Sequence, residues 1–172
     1  ASIDRVTHMV DQLLSFARLQ SDQIDFDAVD LSSLAVEVLK AISPMAMKKG
    51  VEINANLAPG IRTRGNRDAL VIMMRNLIDN AIKFTPSGGR VDVCVLEDGC
   101  KALLKVSDTG PGIKDTEKNK VFERFYRVQK NKQGSGLGLS MAKWICDVHG
   151  AKISLSDNDP GGLTVTVTME SI

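Results

Sequence analysis

The stretch that decides the fold is Arg75-Asn76-Leu77-Ile78-Asp79-Asn80-Ala81-Ile82-Lys83-Phe84, which reads as the end of a helix beginning near Asn66. At 100° per residue, Asn76, Asn80 and Lys83 fall together on one side of this helix. Asparagine is up to about 0.7 kcal/mol worse than alanine in a helix, so two of them four residues apart indicate amides placed for a polar ligand. A solvated helix end is the alternative. The opposite side is apolar and predicts a buried face: Leu70, Val71, Met74, Leu77, Ile78, Ala81 and Ile82.

Length and composition indicate one full-sized domain with a short appendage. A chain of 172 residues buries roughly 70% of its unfolded surface on folding. The charged content is 25%, the net charge is +1, and lysine and arginine are scattered along the chain. No nucleic-acid partner is therefore expected.

The cysteines and the hydropathy predict the cellular setting. Three cysteines without paired metal-ligand spacing favour a reduced, cytoplasmic environment: Cys94, Cys100 and Cys146. Because there is no run of about 20 apolar residues, no direct membrane contact is expected. The chain begins without Met, which suggests a fragment with any membrane segment upstream.

Residues 1–20 predict an amphipathic helix whose apolar face is too wide for this chain alone. Residues 21–29 are largely polar and read as a linker, so a partner helix from another copy or from a missing segment is implied. His8 lies on this helix. A single histidine without a neighbouring carboxylate is more typical of a surface or packing residue than of a catalytic one.

The next segment predicts a helix followed by a strand. Asp30 can cap a helix that runs to about Lys49 and ends at Gly50. Pro44 either kinks this helix or divides it in two. Residues 51–57 alternate in polarity and predict a strand.

Two hairpins supply most of a predicted sheet. An Asp98-Gly99 turn places Glu97 opposite Cys100. This register gives apolar pairs on one face and mixed pairs on the other: Val95 with Ala102, Val93 with Leu104, Val91 with Val106, Asp92 with Lys105, and Cys94 with Leu103. Because Cys94 and Cys100 are not opposed, no disulfide between them is expected. The second hairpin joins residues 152–156 to residues 163–169 through Asn158-Asp159-Pro160-Gly161.

Two loops carry candidate binding groups. Gly134, Gly136 and Gly138 precede a helix, and backbone amides at a helix N-terminus can hold a phosphate, although glycine can also serve a purely conformational need. Asp108 ends a strand and is followed by a glycine-rich turn. Its carboxylate can accept a hydrogen bond from an amine such as that of adenine, and an ordinary Asp-Thr-Gly turn is the alternative.

The order and spacing of four motifs resemble the N, G1, F and G2 boxes in the ATP-binding domain of two-component sensor histidine kinases. This domain belongs to the superfamily of gyrase, Hsp90 and MutL. The resemblance covers residues 30–172, and residues 1–20 look like the end of the second dimerisation helix. The motifs are Asn76-x-x-x-Asn80-Ala81-x-Lys83-Phe84, Asp108-x-Gly110-x-Gly112, Phe122-x-x-Phe125 and Gly134-x-Gly136-x-Gly138.

The resemblance implies roles for individual residues. Asp108 would bind the adenine amine, and Asn80 would give its side-chain oxygen to a Mg²⁺ that bridges the phosphates. Asn76 and Lys83 would contact phosphate or support the metal site, and Phe84 would pack near the base and ribose. Arg127 would lie near the γ-phosphate, with Lys132 as the weaker candidate. The two loops complete the implied ATP site: Gly110, Gly112, Ile113, Gly134, Ser135, Gly136, Leu137, Gly138 and Leu139.

The implied fold is a two-layer α/β sandwich of the Bergerat type, with a mixed sheet of about five strands and helices on one face. It would be preceded by one dimerisation helix. Residues 127–135 would form a mobile lid over the nucleotide. The implied domains are residues 1–20, a linker at 21–29, and an ATP-binding catalytic domain at 30–172.

The implied function is histidine phosphorylation in two-component signalling. The chain would bind Mg-ATP and pass the γ-phosphate to a histidine, from which it would reach an aspartate of a response regulator. The phosphoacceptor motif is missing from the chain, so the fragment would not phosphorylate itself. In the full protein the dimerisation helices would form a homodimer, as the cytoplasmic portion of an inner-membrane sensor.

Two other functions stay open at this stage. Hydrolytic relatives are expected to carry Glu at the position of Asn76, and an amide is a poor base, which disfavours an ATP-hydrolysing conformational machine. A nucleotide-binding regulatory module without transfer activity is disfavoured by the presence of all four motifs.

Overall fold

The computed structural model describes residues 25–128, 135–159 and 161–172. The predicted first helix with His8 and the first part of the predicted linker lie outside these ranges. Within them, the helices are α1 (Leu31–Lys49), α2 (Arg67–Phe84), α3 (Asp115–Lys118) and α4 (Gly138–Val148), with a 3-10 turn at Lys120–Phe122. The strands are β1 (Asp27–Asp30), β2 (Glu52–Leu57), β3 (Arg62–Gly65), β4 (Arg90–Asp98), β5 (Lys101–Asp108), β6 (Lys152–Asp157) and β7 (Leu163–Glu170).

A five-stranded mixed sheet forms one layer, and the helices form the other. Its strand order is β2-β4-β5-β7-β6, with β2 parallel to β4 and the remaining pairs antiparallel. Alternate residues of β4, β5 and β7 are buried, as expected when one face of a sheet packs on helices. The predicted two-layer α/β sandwich and its second hairpin are confirmed.

A small second sheet forms where the chain enters the domain. Strand β1 pairs antiparallel with β3, so that Asp27 opposes Gly65 and Asp30 opposes Arg62. Within the described residues, the first strand therefore begins three residues before the predicted domain boundary at residue 30, and residues 27–29 of the predicted linker belong to that strand.

Local signals fix both ends of α1. The Asp30 side chain accepts a hydrogen bond from the Ser33 backbone N–H at 2.8 Å, which caps the first turn. Gly50 adopts φ 70°, and the N–H groups of Gly50 and Val51 donate to Met47 and Ala46, closing the last turn. Pro44 lies inside one continuous helix, so it does not divide the segment in two.

His149 joins the start of α2 to the end of α4. Its Nε2 accepts a hydrogen bond from the Asn66 backbone N–H at 3.0 Å, and its Nδ1 is 2.8 Å from the carbonyl oxygen of Ile145. The proton therefore lies on Nδ1, and burial lowers the pKa of this imidazole. The Asn66 side chain caps α2 by accepting from Ala69. These bonds fix the two helices that flank the candidate site.

The register of the first hairpin differs from the predicted one. Asp98 pairs with Lys101, so the loop residues are Gly99 and Cys100 rather than Asp98 and Gly99. Gly99 has φ 60°, and a positive φ at the first loop residue alone is the pattern of a type II′ turn, which favours glycine there. The prediction that Glu97 faces Cys100 was wrong, because it assigned glycine to the second loop position.

The predicted register is wrong by two residues, so the cross-strand partners change but each side chain stays on the predicted face of the sheet. The pairs are Val95 with Leu104, Val93 with Val106, Val91 with Asp108, Asp92 with Ser107, and Cys94 with Lys105. Because side chains alternate with a period of two, the three valines of β4 still face the core. All three cysteines are free thiols, in agreement with the predicted absence of a disulfide.

The described part of the chain contains no helix that meets the length and hydropathy of a membrane span.

Candidate functional site

A cleft opens beside the C-terminal half of α2. Its walls come from α2, the end of β5, the start of α4 and the loops that follow β5 and α3. Twelve of the residues singled out in the sequence line it: Asn76, Asn80, Lys83, Phe84, Asp108, Gly112, Ile113, Arg127, Ser135, Gly136, Gly138 and Leu139. The fold thus brings together groups that are up to 63 positions apart in the sequence (Asn76 to Leu139).

Two further residues of the predicted site, Gly110 and Leu137, are described by the structure and do not line this cleft. Gly110 lies behind Asp108, where an added Cβ would come 2.8 Å from Asp108 Oδ1 and 3.0 Å from the Phe84 carbonyl oxygen. Leu137 is buried and supports the first turn of α4 through its carbonyl oxygen, which accepts from Met141. Lys132 and Gly134 fall outside the described residues.

The cleft has an apolar floor whose residues were not among the predicted site residues. It is formed by inward-facing residues of the sheet and of α2: Leu77, Ala81, Val106, Leu163 and Val165. The alternation of buried positions in β5 and β7 was the signal that could have identified Val106, Leu163 and Val165 as part of this floor. An apolar surface with a few convergent polar groups is the usual composition of a small-molecule site.

Asp108 is the buried acidic group of the cleft. It ends β5 and is only 6% exposed. Its Oδ1 accepts hydrogen bonds from the backbone N–H groups of Gly110 at 2.8 Å and Leu163 at 3.3 Å. Burial raises the pKa of this carboxyl, and the two backbone hydrogen bonds oppose that rise. No hydrogen bond from the described residues reaches Oδ2, so this oxygen is available to a donor in the cleft.

The turn between β6 and β7 contacts the backbone carbonyl group of Asp108. Asn158 Nδ2 donates to the Asp108 carbonyl oxygen at 2.8 Å. Gly162 adopts φ 119°, and an added Cβ there would lie 1.8 Å from the same carbonyl oxygen. Only glycine permits this approach. From the sequence, Asn158 is assigned only to a hairpin turn, because no local pattern connects it to Asp108, which lies 50 positions away.

Asn76 and Asn80 face the first residue of α4. An added Cβ at Gly138 would lie 3.0 Å from Asn80 Nδ2 and 3.4 Å from Asn76 Oδ1. Asn76 is 8% exposed, and its Nδ2 donates to the Ile72 carbonyl oxygen at 3.0 Å and contacts Met141 Sδ at 3.4 Å. Asn76 and Asn80 are therefore packed against α4, so this part of the polar stripe is not a solvated helix end.

The N-terminus of α4 faces the cleft, and no side chain in the described part of the chain caps it. Leu137 occupies the cap position and provides no side-chain hydrogen bond to the first turn. The first N–H groups of a helix carry partial positive charge and seek an acceptor, so an anion in the cleft would be stabilised there.

The glycine before α4 contacts a strained residue. Gly136 has φ 74°, and an added Cβ would come 2.7 Å from the backbone carbon of Phe125. Phe125 itself adopts φ 66°, which is uncommon for a residue with a side chain. Its N–H donates to the Gly136 carbonyl oxygen at 3.0 Å. This hydrogen bond joins the part of the chain before residues 129–134 to the part that follows them.

Two cationic side chains of the predicted site border the cleft. Lys83 is half-buried in the last turn of α2, and its Nζ lies 5.8 Å from the centroid of the Phe84 ring. Arg127 is half-buried on the opposite loop. The cleft thus has an acidic anchor at one end, and it also carries two cations and a helix N-terminus.

Comparisons with known proteins agree with this architecture. Residues 65–171 match the family described as histidine kinase-, DNA gyrase B- and HSP90-like ATPase. The chain is 35% identical over 171 residues to the sensor protein kinase PmrB of Pseudomonas aeruginosa, covering 96% of this chain and 36% of PmrB. It is 34% identical over 165 residues to the histidine-protein kinase/phosphatase MprB of a Mycobacterium species, covering 94% of this chain and 32% of that protein.

Solved structures give the same result. The mycobacterial sensor histidine kinase MprB superposes with a TM-score of 0.78 at 30% identity, covering 85% of this chain and 97% of that structure. Full-length ShkA in complex with AMPPNP superposes with a TM-score of 0.83 at 28% identity, covering 99% of this chain and 36% of ShkA. The chain belongs to the histidine kinase-, DNA gyrase B- and HSP90-like ATPase family. It spans about a third of the length of the curated relatives named above.

Proposed function

We propose that the chain is the ATP-binding catalytic part of a sensor histidine kinase, and that it transfers the γ-phosphate of ATP to a histidine on a dimerisation helix. The observation that carries the proposal is Asp108, a buried carboxylate at the end of β5. One of its oxygens is occupied by two backbone N–H groups, and the other is available to a ligand.

The shape of the cleft supports one orientation of the nucleotide. The adenine amine would donate to Asp108 Oδ2, with the ring against the apolar floor. The phosphates would then lie toward Lys83 and the N-terminus of α4, where cationic and N–H groups favour negative charge. Arg127 would approach the terminal phosphate from the loop that precedes residues 129–134.

The side chains of the cleft fit Mg²⁺ held together with a nucleotide. The described residues contain no cluster of three His, Cys, Asp or Glu side chains that could hold a metal ion without a ligand. Mg²⁺ prefers oxygen and is commonly bound through one or two protein oxygens plus substrate phosphates. Asn80 would supply that protein oxygen, with Asn76 beside it. When bound, the ion would neutralise charge on the phosphates.

The environment of Asn76 favours transfer over hydrolysis. Its amide is engaged with the Ile72 carbonyl oxygen and Met141, and an amide does not accept a proton from water near neutral pH. Positioning and charge neutralisation can supply most of the catalysis of phosphoryl transfer. The chain would therefore hold ATP until a histidine nucleophile reaches the γ-phosphate.

The proposal includes partners and a location. The acceptor histidine would lie on dimerisation helices that precede this segment, in a homodimer. A response regulator would receive the phosphate. The names of the relatives as sensor kinases support a cytoplasmic position for this segment, next to an inner-membrane sensor.

The experiment is a phosphotransfer assay on a longer chain that includes the preceding helices. With γ-labelled ATP and Mg²⁺, we expect label on a histidine, recognised by its lability in acid and stability in base. Asn80→Ala should abolish the signal, whereas Asn56→Ala, an exposed position of β2 outside the cleft, should leave it unchanged. Release of free phosphate without labelled protein would instead support an ATP-hydrolysing machine.

A further inference from the structure

We propose that Lys49 is a positioning residue for the triphosphate, which it influences through Lys83 without touching the nucleotide. The inference rests on the proposed function. Lys49 is the last residue of α1 and, within the described residues, is not among those that line the cleft.

The ammonium of Lys49 caps the C-terminus of α2. Its Nζ donates to the carbonyl oxygen of Ile82 at 2.8 Å and to that of Lys83. These carbonyl groups belong to the last turn of the helix, where no intrahelical N–H reaches them. A cation at this end also interacts favourably with the partial negative charge of the helix. Lys49 therefore stabilises the turn from which the Lys83 and Phe84 side chains enter the cleft.

Backbone contacts beside Lys49 show that the end of α1 packs closely against the loop after α2. The Gly88 N–H donates to the Gly50 carbonyl oxygen at 2.7 Å, and the Glu52 N–H donates to the Gly89 carbonyl oxygen at 3.0 Å. An added Cβ at Gly50 would lie 2.7 Å from Ser87 Oγ. The end of α1 and the loop after α2 thus form one unit, and Lys49 is its charged contact with α2.

The position of Lys49 predicts a selective effect. The three hydrogen bonds that hold Asp108 come from Gly110, Leu163 and Asn158, and none of them involves Lys49. Removing the ammonium should therefore displace the phosphate-facing Lys83 and leave the adenine anchor in place. Affinity for a triphosphate should fall, while affinity for adenosine should not.

The test compares the binding of adenosine and a non-hydrolysable ATP analogue by calorimetry. For Lys49→Met we expect about a tenfold weaker affinity for the analogue with adenosine affinity unchanged, the size typical when a supporting contact behind a binding group is removed. Lys49→Arg keeps the charge and the donors and should restore most of the affinity. Lys48→Met removes an exposed lysine from the same turn and should bind both ligands normally.

A double-mutant cycle tests the route through Lys83. If Lys49 acts through that side chain, Lys49→Met should have little further effect in a Lys83→Met background, because coupled residues are not additive. If thermal denaturation finds Lys49→Met unfolded, Lys49→Gln replaces it, because the glutamine amide removes the charge but can still donate hydrogen bonds. Equal losses for adenosine and the analogue, or full additivity, would overturn the proposal. Failure of the unsubstituted chain to bind either ligand would instead overturn the proposed function.

Discussion

At the scale of single residues, Asp108 combines a cost in stability with a proposed role in binding. The fold buries its carboxyl and raises the pKa above the ordinary 3.8. A raised folded pKa means that the native state favours the protonated form. Protonation of Asp108 stabilises the native state fully below pH 3.8, and this stabilisation is lost as the pH rises through the folded pKa. At neutral pH the ionised carboxylate therefore destabilises the fold.

Asp108→Asn tests both sides of this conclusion. The amide oxygen can still accept from Gly110 and Leu163, but the group that faces the cleft becomes a donor. We expect nucleotide affinity to fall by about 2–3 kcal/mol, roughly a hundredfold. The free energy of unfolding at pH 7 should rise above that of the unsubstituted chain, and the difference should narrow as the pH falls toward 3.8. Calorimetry and urea unfolding at several pH values measure the two effects, and unchanged affinity would refute the adenine assignment.

Gly138 is a second residue whose packing bears on the proposed function, because it lies against Asn80. An alanine Cβ would lie 3.0 Å from Asn80 Nδ2, so the amide must shift by a few tenths of an ångström. For Gly138→Ala we expect the gain in affinity on adding Mg²⁺ to shrink about tenfold, with stability changed by less than about 1 kcal/mol. Calorimetry with and without Mg²⁺ measures this. Gly161→Ala is the control, because its nearest neighbour would be the Gly110 carbonyl oxygen at 3.9 Å. Equal behaviour of the two variants would contradict the role of Asn80.

At the scale of elements, the turn between β6 and β7 supports the proposed adenine site through its contact with Asp108. Asn158→Ala removes the 2.8 Å hydrogen bond to the Asp108 carbonyl oxygen. A neutral hydrogen bond contributes about 0.5–1.5 kcal/mol, so we expect roughly a three- to tenfold loss of adenosine affinity. Asp159→Ala changes an exposed neighbour in the same turn and serves as the control in the same titration. If both variants bind adenosine equally, the turn has no part in recognition.

The first hairpin shows how far local patterns determine an element. Alternation identified both strands and the buried face of β4, because burial acts on every second residue. The pairing required knowledge of which loop position glycine occupies, and Asp98-Gly99 and Gly99-Cys100 are both plausible two-residue turns. The local sequence therefore predicted the faces correctly and the cross-strand partners incorrectly.

At the scale of the whole molecule, the predictable part of the site was the part that local motifs carry. The helix with Asn76 and Asn80, the strand end at Asp108 and the glycines before α4 could all be found in the sequence. The contacts of Lys49 and Asn158 could not be found in the sequence, because their partners lie 33 and 50 positions away and no local pattern indicates them. Their contribution depends on how α1 and the turn between β6 and β7 pack against the rest of the domain.

The proposed function requires this domain to bind ATP with Mg²⁺ in the cleft between α2 and α4. The most direct measurement is a calorimetric titration with a non-hydrolysable ATP analogue, with and without Mg²⁺, on the unsubstituted chain, Asn80→Ala and the control Asn56→Ala. We expect the unsubstituted chain to bind the analogue more tightly with Mg²⁺, Asn80→Ala to bind it more weakly, and Asn56→Ala to bind it normally. An absence of binding at millimolar nucleotide, or binding that neither Mg²⁺ nor Asn80 affects, would contradict it.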